Sequence, residues 1–149
     1  MDNWHIVRRR CWIFDLDGTL TRPQHDFAAI KKALDVPEDC YILEHLEMLA
    51  PAARKQKRQQ LDRIEADIAS RSLATHGAVA LVDNLVAQRC NIGVITRNSR
   101  DNALVSLERI GLSGRFADAF IIGRDEAEPK PHPGGVRRML RDWAVGLRP

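Results

Sequence analysis

The sequence has few cysteines, and their spacing suits neither a shared bond nor a metal: Cys11, Cys40 and Cys90 form no CxxC pair. An odd, scattered set argues against a disulfide framework and a zinc site, and it suits a reducing cytoplasm. Long apolar runs are also lacking. None approaches the ~20 residues of a membrane helix, so no membrane partner is expected. Met1 to His5 leads into Arg8-Arg9-Arg10 before any apolar stretch, and the stretch that follows is too short and too acidic for a signal peptide. There is no internal repeat and no low-complexity tract. What is present is an ordinary globular balance: 149 residues, 44% hydrophobic and 29% charged. That composition excludes a disordered chain and fits a single compact domain.

The formal net charge of +3 is unevenly placed. Residues 130–149 carry Lys130, Arg137, Arg138, Arg141 and Arg148 against Asp142, a net +4, which leaves −1 for the remainder. No aromatic-rich strand of the RNA-binding type and no DNA-reading motif accompanies this basic segment. It reads as a solvated helix face, with no nucleic-acid partner.

Three short apolar runs read as buried strands: residues 11–15, residues 91–96 and residues 119–122. Between the second and third, Ala103, Leu104, Leu107 and Ile110 fall at helical spacing and Gly111 is a C′ stop. Residues 78–88 read as the helix that leads into the second strand. Strands alternating with helices imply an α/β class with a parallel sheet. From Arg22 to His76 the rhythm breaks. Two helical patterns dominate there, Ile42-Leu43-Leu46-Met48-Leu49 and, after Pro51, Leu61-Ile64-Ile68 with charges on the opposite face. This segment reads as a small helical insertion, and residues 54–58 as the wet face of one of its helices.

The strongest chemical signal is Asp15-Leu16-Asp17-Gly18-Thr19-Leu20 at the end of the first apolar run. Ligands of open parallel sheets bind beyond the carboxyl ends of strands. Two carboxylates placed there repel each other unless a cation or a proton separates them. With Thr96 ending the second strand and Lys130 inside Glu128-Pro-Lys-Pro-His-Pro133, the sequence resembles the haloacid dehalogenase (HAD) superfamily of phosphohydrolases. That family has DxDGT as its first motif, a Thr or Ser as its second and a lysine in KPxP context as its third. The resemblance covers nearly the whole chain and is nearest to phosphoglycolate-phosphatase-like members with a small C1 helical cap. It implies a Rossmann-like core from residues 1–21 and 77–149, with a cap from residues 22–76.

By the same resemblance Asp15 is the nucleophile, forming an aspartyl-phosphate that divides one hard hydrolysis into two easier steps. Asp17 is the general acid and then the base, a task that needs a retained proton. Gly18 and Thr19 shape the loop and offer donors to phosphoryl oxygens, Thr96 holds another oxygen, and Lys130 balances the charge around Asp15. Arg97 is a further phosphate-binding candidate. Asp15 and Asp17 are the metal ligands, with Mg²⁺ as cofactor and a small phosphorylated metabolite as substrate. Arg22 and His25, where the chain enters the insertion, are weaker candidates for meeting the substrate.

The family's fourth motif, acidic residues at the end of one further strand, has no counterpart here. Asp125, Glu126, Glu128 and Asp142 follow no additional apolar strand. The resemblance then implies weakened Mg²⁺ binding, a first strand left as an apolar edge open to self-association, and a native sequence that continues past residue 149. Two rival readings stand beside the phosphatase. A phosphomutase shares the Asp nucleophile, and a catalytically deficient homologue would serve as a binding or regulatory module.

Overall fold

The computed structural model describes residues 9–144. The apolar runs become three parallel strands, β1 (Cys11–Phe14), β2 (Asn91–Ile95) and β3 (Ile121–Ile122), in the spatial order β1-β2-β3. Cys11 pairs with Asn91 and Phe14 with Val94, while Val94 also pairs with Ile121. All three strands therefore point the same way, and the residues that follow them gather at one edge of the sheet.

β2 is central, and its alternate side chains feed two cores. Ile92 and Val94 join Val82 and Leu85 of α4 (Ala78–Ala87) and Leu107 of α5 (Arg100–Arg109) on one face. On the other face Ile95 and Ile122 meet Met139 of α6 (Gly134–Asp142). Gly93 is what lets α6 approach, because a Cβ there would lie 2.5 Å from the Met139 Sδ. Ser99 caps α5 by accepting from Asn102 N at 3.2 Å, and Gly111 follows its end at φ +81°. The basic residues Arg137 and Arg141 of α6 are exposed, as a solvated face requires.

Two strand expectations and one helix boundary need correction. The first strand is half-buried along its whole length rather than fully buried, because it forms an edge of the sheet among the described residues. The third strand begins at Ile121, since residues 118–120 form a single 3₁₀ turn. The helical pattern of residues 42–49 stops at Glu47, with Met48 as its C-cap, and Ala50, held extended (φ −57°, ψ 148°) ahead of Pro51, is the N-cap from which proline opens the next helix.

Residues 22–76 fold into α1 (Phe27–Ala33), α2 (Ile42–Glu47) and α3 (Pro51–Ser70). They share an apolar cluster of their own, built on Ile30, Leu34, Leu46, Leu61 and Ile68. α1 carries only one buried residue, Ile30, so it shows no apolar period; its start is marked by Asp26, which accepts from Ala29 N at 3.0 Å. The residues of 54–58 are not a uniformly wet face. Arg54 pairs with Glu47, Lys57 with Asp35, and Arg58 with Asp125. The two connections to the sheet run side by side, with Arg22 N donating to Leu73 O at 2.8 Å and Thr75 N to Leu20 O at 2.9 Å.

Candidate active site

The loop after β1 turns tightly. Thr21 N reaches back to Leu16 O at 3.1 Å, and Gly18 takes φ +79°, a left-handed conformation that glycine adopts without strain. The turn leaves Leu16 and Leu20 in the core and the side chains of Asp15 and Asp17 beyond the strand end. Asp15 Oδ1 accepts from Leu16 N at 2.8 Å and from Lys130 Nζ at 2.9 Å. Its second oxygen accepts no hydrogen bond among the described residues.

Lys130 arrives from the far end of the loop after β3. That loop is pinned by Gly123 N donating to Glu126 Oε2 at 2.9 Å and by Arg138 Nη1 donating to Glu126 O at 3.0 Å. Thr96, buried at the end of β2, accepts Asn98 N at 3.0 Å on its hydroxyl oxygen, which leaves the hydroxyl proton to be donated elsewhere. Asn98 is the first site residue that the motifs do not mark. Its Oδ1 accepts from Ser99 N (2.8 Å) and Asn102 Nδ2 (3.1 Å), which fixes the amide so that Nδ2 donates to Asp17 Oδ2 at 3.3 Å.

Asp15, Asp17, Thr96, Arg97 and Lys130 line one cavity of about 500 Å³, together with Asn98. Gly18 and Thr19 are exposed and lie outside its wall; Gly18 contributes the turn. Arg97 is already engaged. Its Nη2 donates to both oxygens of Glu44 at 2.8 and 2.7 Å, its Nη1 to Lys130 O, and its guanidinium lies 5.9 Å from the centre of the Tyr41 ring. Burial pushes the Glu44 carboxyl up, but the Arg97 hydrogen bonds, its own backbone and the Arg97 charge together hold it below the usual range. Of the two weaker candidates, His25 lines the cavity and stacks on Phe27, with ring centroids 5.5 Å apart, whereas Arg22 is spent on Ala74 O.

Two further charges in the cavity wall have no motif signal beyond the placement of Arg124 just after an apolar run. Arg124 is 5% exposed. It donates to Asp62 and to Arg97 O (3.3 Å), and its Nη1 lies 2.7 Å from Glu65 Oε2. Glu65 sits on the buried face of α3 with Leu61 and Ile68, so the charges of that helix do not all point outward. Burial pushes its carboxyl up to about 7 against the attraction of Arg124, with Asp17 and Asp62 adding to the rise. The remaining acids are dispersed: Asp125 pairs with Arg58, Glu126 holds Gly123, and Glu128 faces His132. Among the described residues no three acidic, His or Cys side chains cluster as a metal site.

The sequence pattern of the family described as haloacid dehalogenase-like hydrolase matches residues 10–147. A haloacid dehalogenase-like hydrolase domain-containing protein of Arabidopsis thaliana is 29% identical over 93% of this chain. The chain spans 60% of that relative's length. The validoxylamine A 7′-phosphate phosphatase of Streptomyces hygroscopicus subsp. limoneus is 27% identical, over 83% of this chain and 66% of its own length. Among solved structures, a hydrolase from Pseudomonas syringae superposes with a TM-score of 0.72 at 19% identity. That match covers 93% of this chain and 71% of the other, and it shows a shared fold.

Proposed function

Because the chain belongs to the haloacid dehalogenase-like hydrolase family, we propose that it hydrolyses a small phosphate monoester, with Mg²⁺, through an aspartyl-phosphate on Asp15. One observation carries this reading. A single cavity holds an Asp15 carboxylate bound to Lys130 and an Asp17 carboxyl group bound through one oxygen to Asn98, both beyond the end of β1. In the first step the free Asp15 oxygen bonds to phosphorus while the ester P–O bond breaks, and Asp17 gives its proton to the departing oxygen. In the second, water bonds to phosphorus, Asp17 takes the water's proton, and the Asp15–phosphorus bond breaks to release phosphate. Lys130 and the Thr96 hydroxyl offset the charge on the phosphoryl oxygens in this reading.

The donors fit Mg²⁺ in kind, being hard oxygens on a tight turn. The Asp15 carboxylate and the Asp17 main-chain carbonyl would hold it, with water and substrate phosphate completing the shell. The ion supplies charge neutralisation for the transferring phosphoryl group. We divide the chain into a core of residues 1–21 and 77–149 and a cap of residues 22–76, supported by the separate apolar cluster of α1–α3. Three free cysteines support a cytoplasmic site of action.

The test is release of inorganic phosphate from a panel of phosphate monoesters with Mg²⁺. The expected result is turnover that falls about 10³-fold or more in Asp15→Asn and in Asp17→Asn. Turnover that survives Asp15→Asn, or none across the panel, contradicts the proposal.

A further inference from the structure

A carboxylate offers about four lone-pair sites, and burying one without hydrogen bonds is costly. Glu65 is 9% exposed and lines the cavity that holds Asp15 and Asp17. Its Oε2 is closed off from solvent and held by the Arg124 guanidinium, whose Nη1 lies 2.7 Å away. Its Oε1 accepts from no donor among the described residues. Arg124 also donates to Asp62 and to Arg97 O, which locks its guanidinium in place beside Glu65. The structure therefore holds a nine-tenths-buried acceptor, fixed in position by a buried cation, with one oxygen left for whatever enters.

The cationic side chains of that wall are engaged elsewhere. Leu43 and Leu61 beside Glu65 have no donor side chains. Arg97 is taken by Glu44 and Lys130 by Asp15. Lys31, on the same cavity, donates to Glu38 O at 2.6 Å.

We propose that Glu65 is a specificity-determining residue, which receives a hydroxyl of the leaving group and makes polyhydroxylated phosphate monoesters the preferred substrate class. This rests on the phosphatase reading of the same cavity. A site built around a buried acceptor discriminates strongly against an analogue that lacks the hydroxyl, because the acceptor is then left unpaired. Apolar phosphate esters of the same length would fill the cavity beside Leu43 and Leu61 but leave Glu65 without a donor.

The test compares two ligands of equal carbon count, sorbitol 6-phosphate and hexyl phosphate, titrated calorimetrically into the 149-residue chain carrying Asp15→Asn to stop turnover. Sorbitol 6-phosphate is expected to bind at least about tenfold more tightly. Adding Glu65→Met is expected to erase most of that ratio. Glu65→Gln, which keeps one acceptor oxygen and folds more readily beside Arg124, is expected to retain part of it. Equal or tighter binding of hexyl phosphate, binding of neither ligand, or a ratio unmoved by both substitutions overturns the inference. Release of phosphate from the monoester panel with Mg²⁺ by the unsubstituted chain reads the phosphatase proposal separately. Its absence beside an intact preference would sink that reading and leave the Glu65 subsite standing.

Discussion

Asn98 shows how a site residue is fixed by its own neighbours. Its carbonyl oxygen is taken by Ser99 N and Asn102 Nδ2, so its amide has only Asp17 to face. Replacing it with Ala leaves the Asp17 side chain free to turn. The expected outcome is a loss of about 10- to 100-fold in kcat, read by steady-state kinetics, with the fold intact by circular dichroism. Lys130→Met removes the cation on Asp15 and is expected to lower kcat/KM by about 10²-fold or more. Asp15, Asp17, Thr96 and Lys130 were legible because each stands in a short local motif or directly ends an apolar run. Asn98 was not, since its role depends on where Thr96 and Asp17 meet in space. Arg124 and Glu65 were hidden for the same reason: Arg124 binds Asp62 from 62 positions away.

At the scale of elements, the reading of β1, β2, α4 and α5 followed from apolar period and stop signals, which are local. α1 escaped because one buried residue makes no period. The buried face of α3 was misjudged at Glu65, since a charge reads as outward unless its buried partner is known. The loop after β3 is the element on which most of the site depends, and Gly123 is its tightest point. A Cβ there would lie 2.5 Å from Arg100 N and 2.9 Å from Asn98 O, backbone atoms that cannot step aside. Gly123→Ala is expected to cost about 2 kcal/mol or more in chemical denaturation, and to reduce activity by displacing Arg124 and Asn98. An unchanged denaturation midpoint would contradict this packing.

For the whole molecule, the buried Glu65 sets the sign of a pH dependence. Burial raises its carboxyl from 4.5 to about 7 in the fold, so between those values the folded state keeps a proton that the unfolded chain has lost. The stability that this provides is complete below about pH 4.5 and is lost as pH rises through about 7. Between pH 5 and pH 8 the Tm should fall on the order of 5 °C further in the unsubstituted chain than in Glu65→Gln, which has no proton to lose. Parallel Tm curves would rule this out. Mass spectrometry of the acid-quenched chain during turnover shows where the phosphoryl group goes. One phosphoryl group is expected on the peptide that carries Asp15, absent from Asp15→Asn; phosphate release with no label on that peptide, or a label that persists in Asp15→Asn, would contradict an aspartyl-phosphate on Asp15.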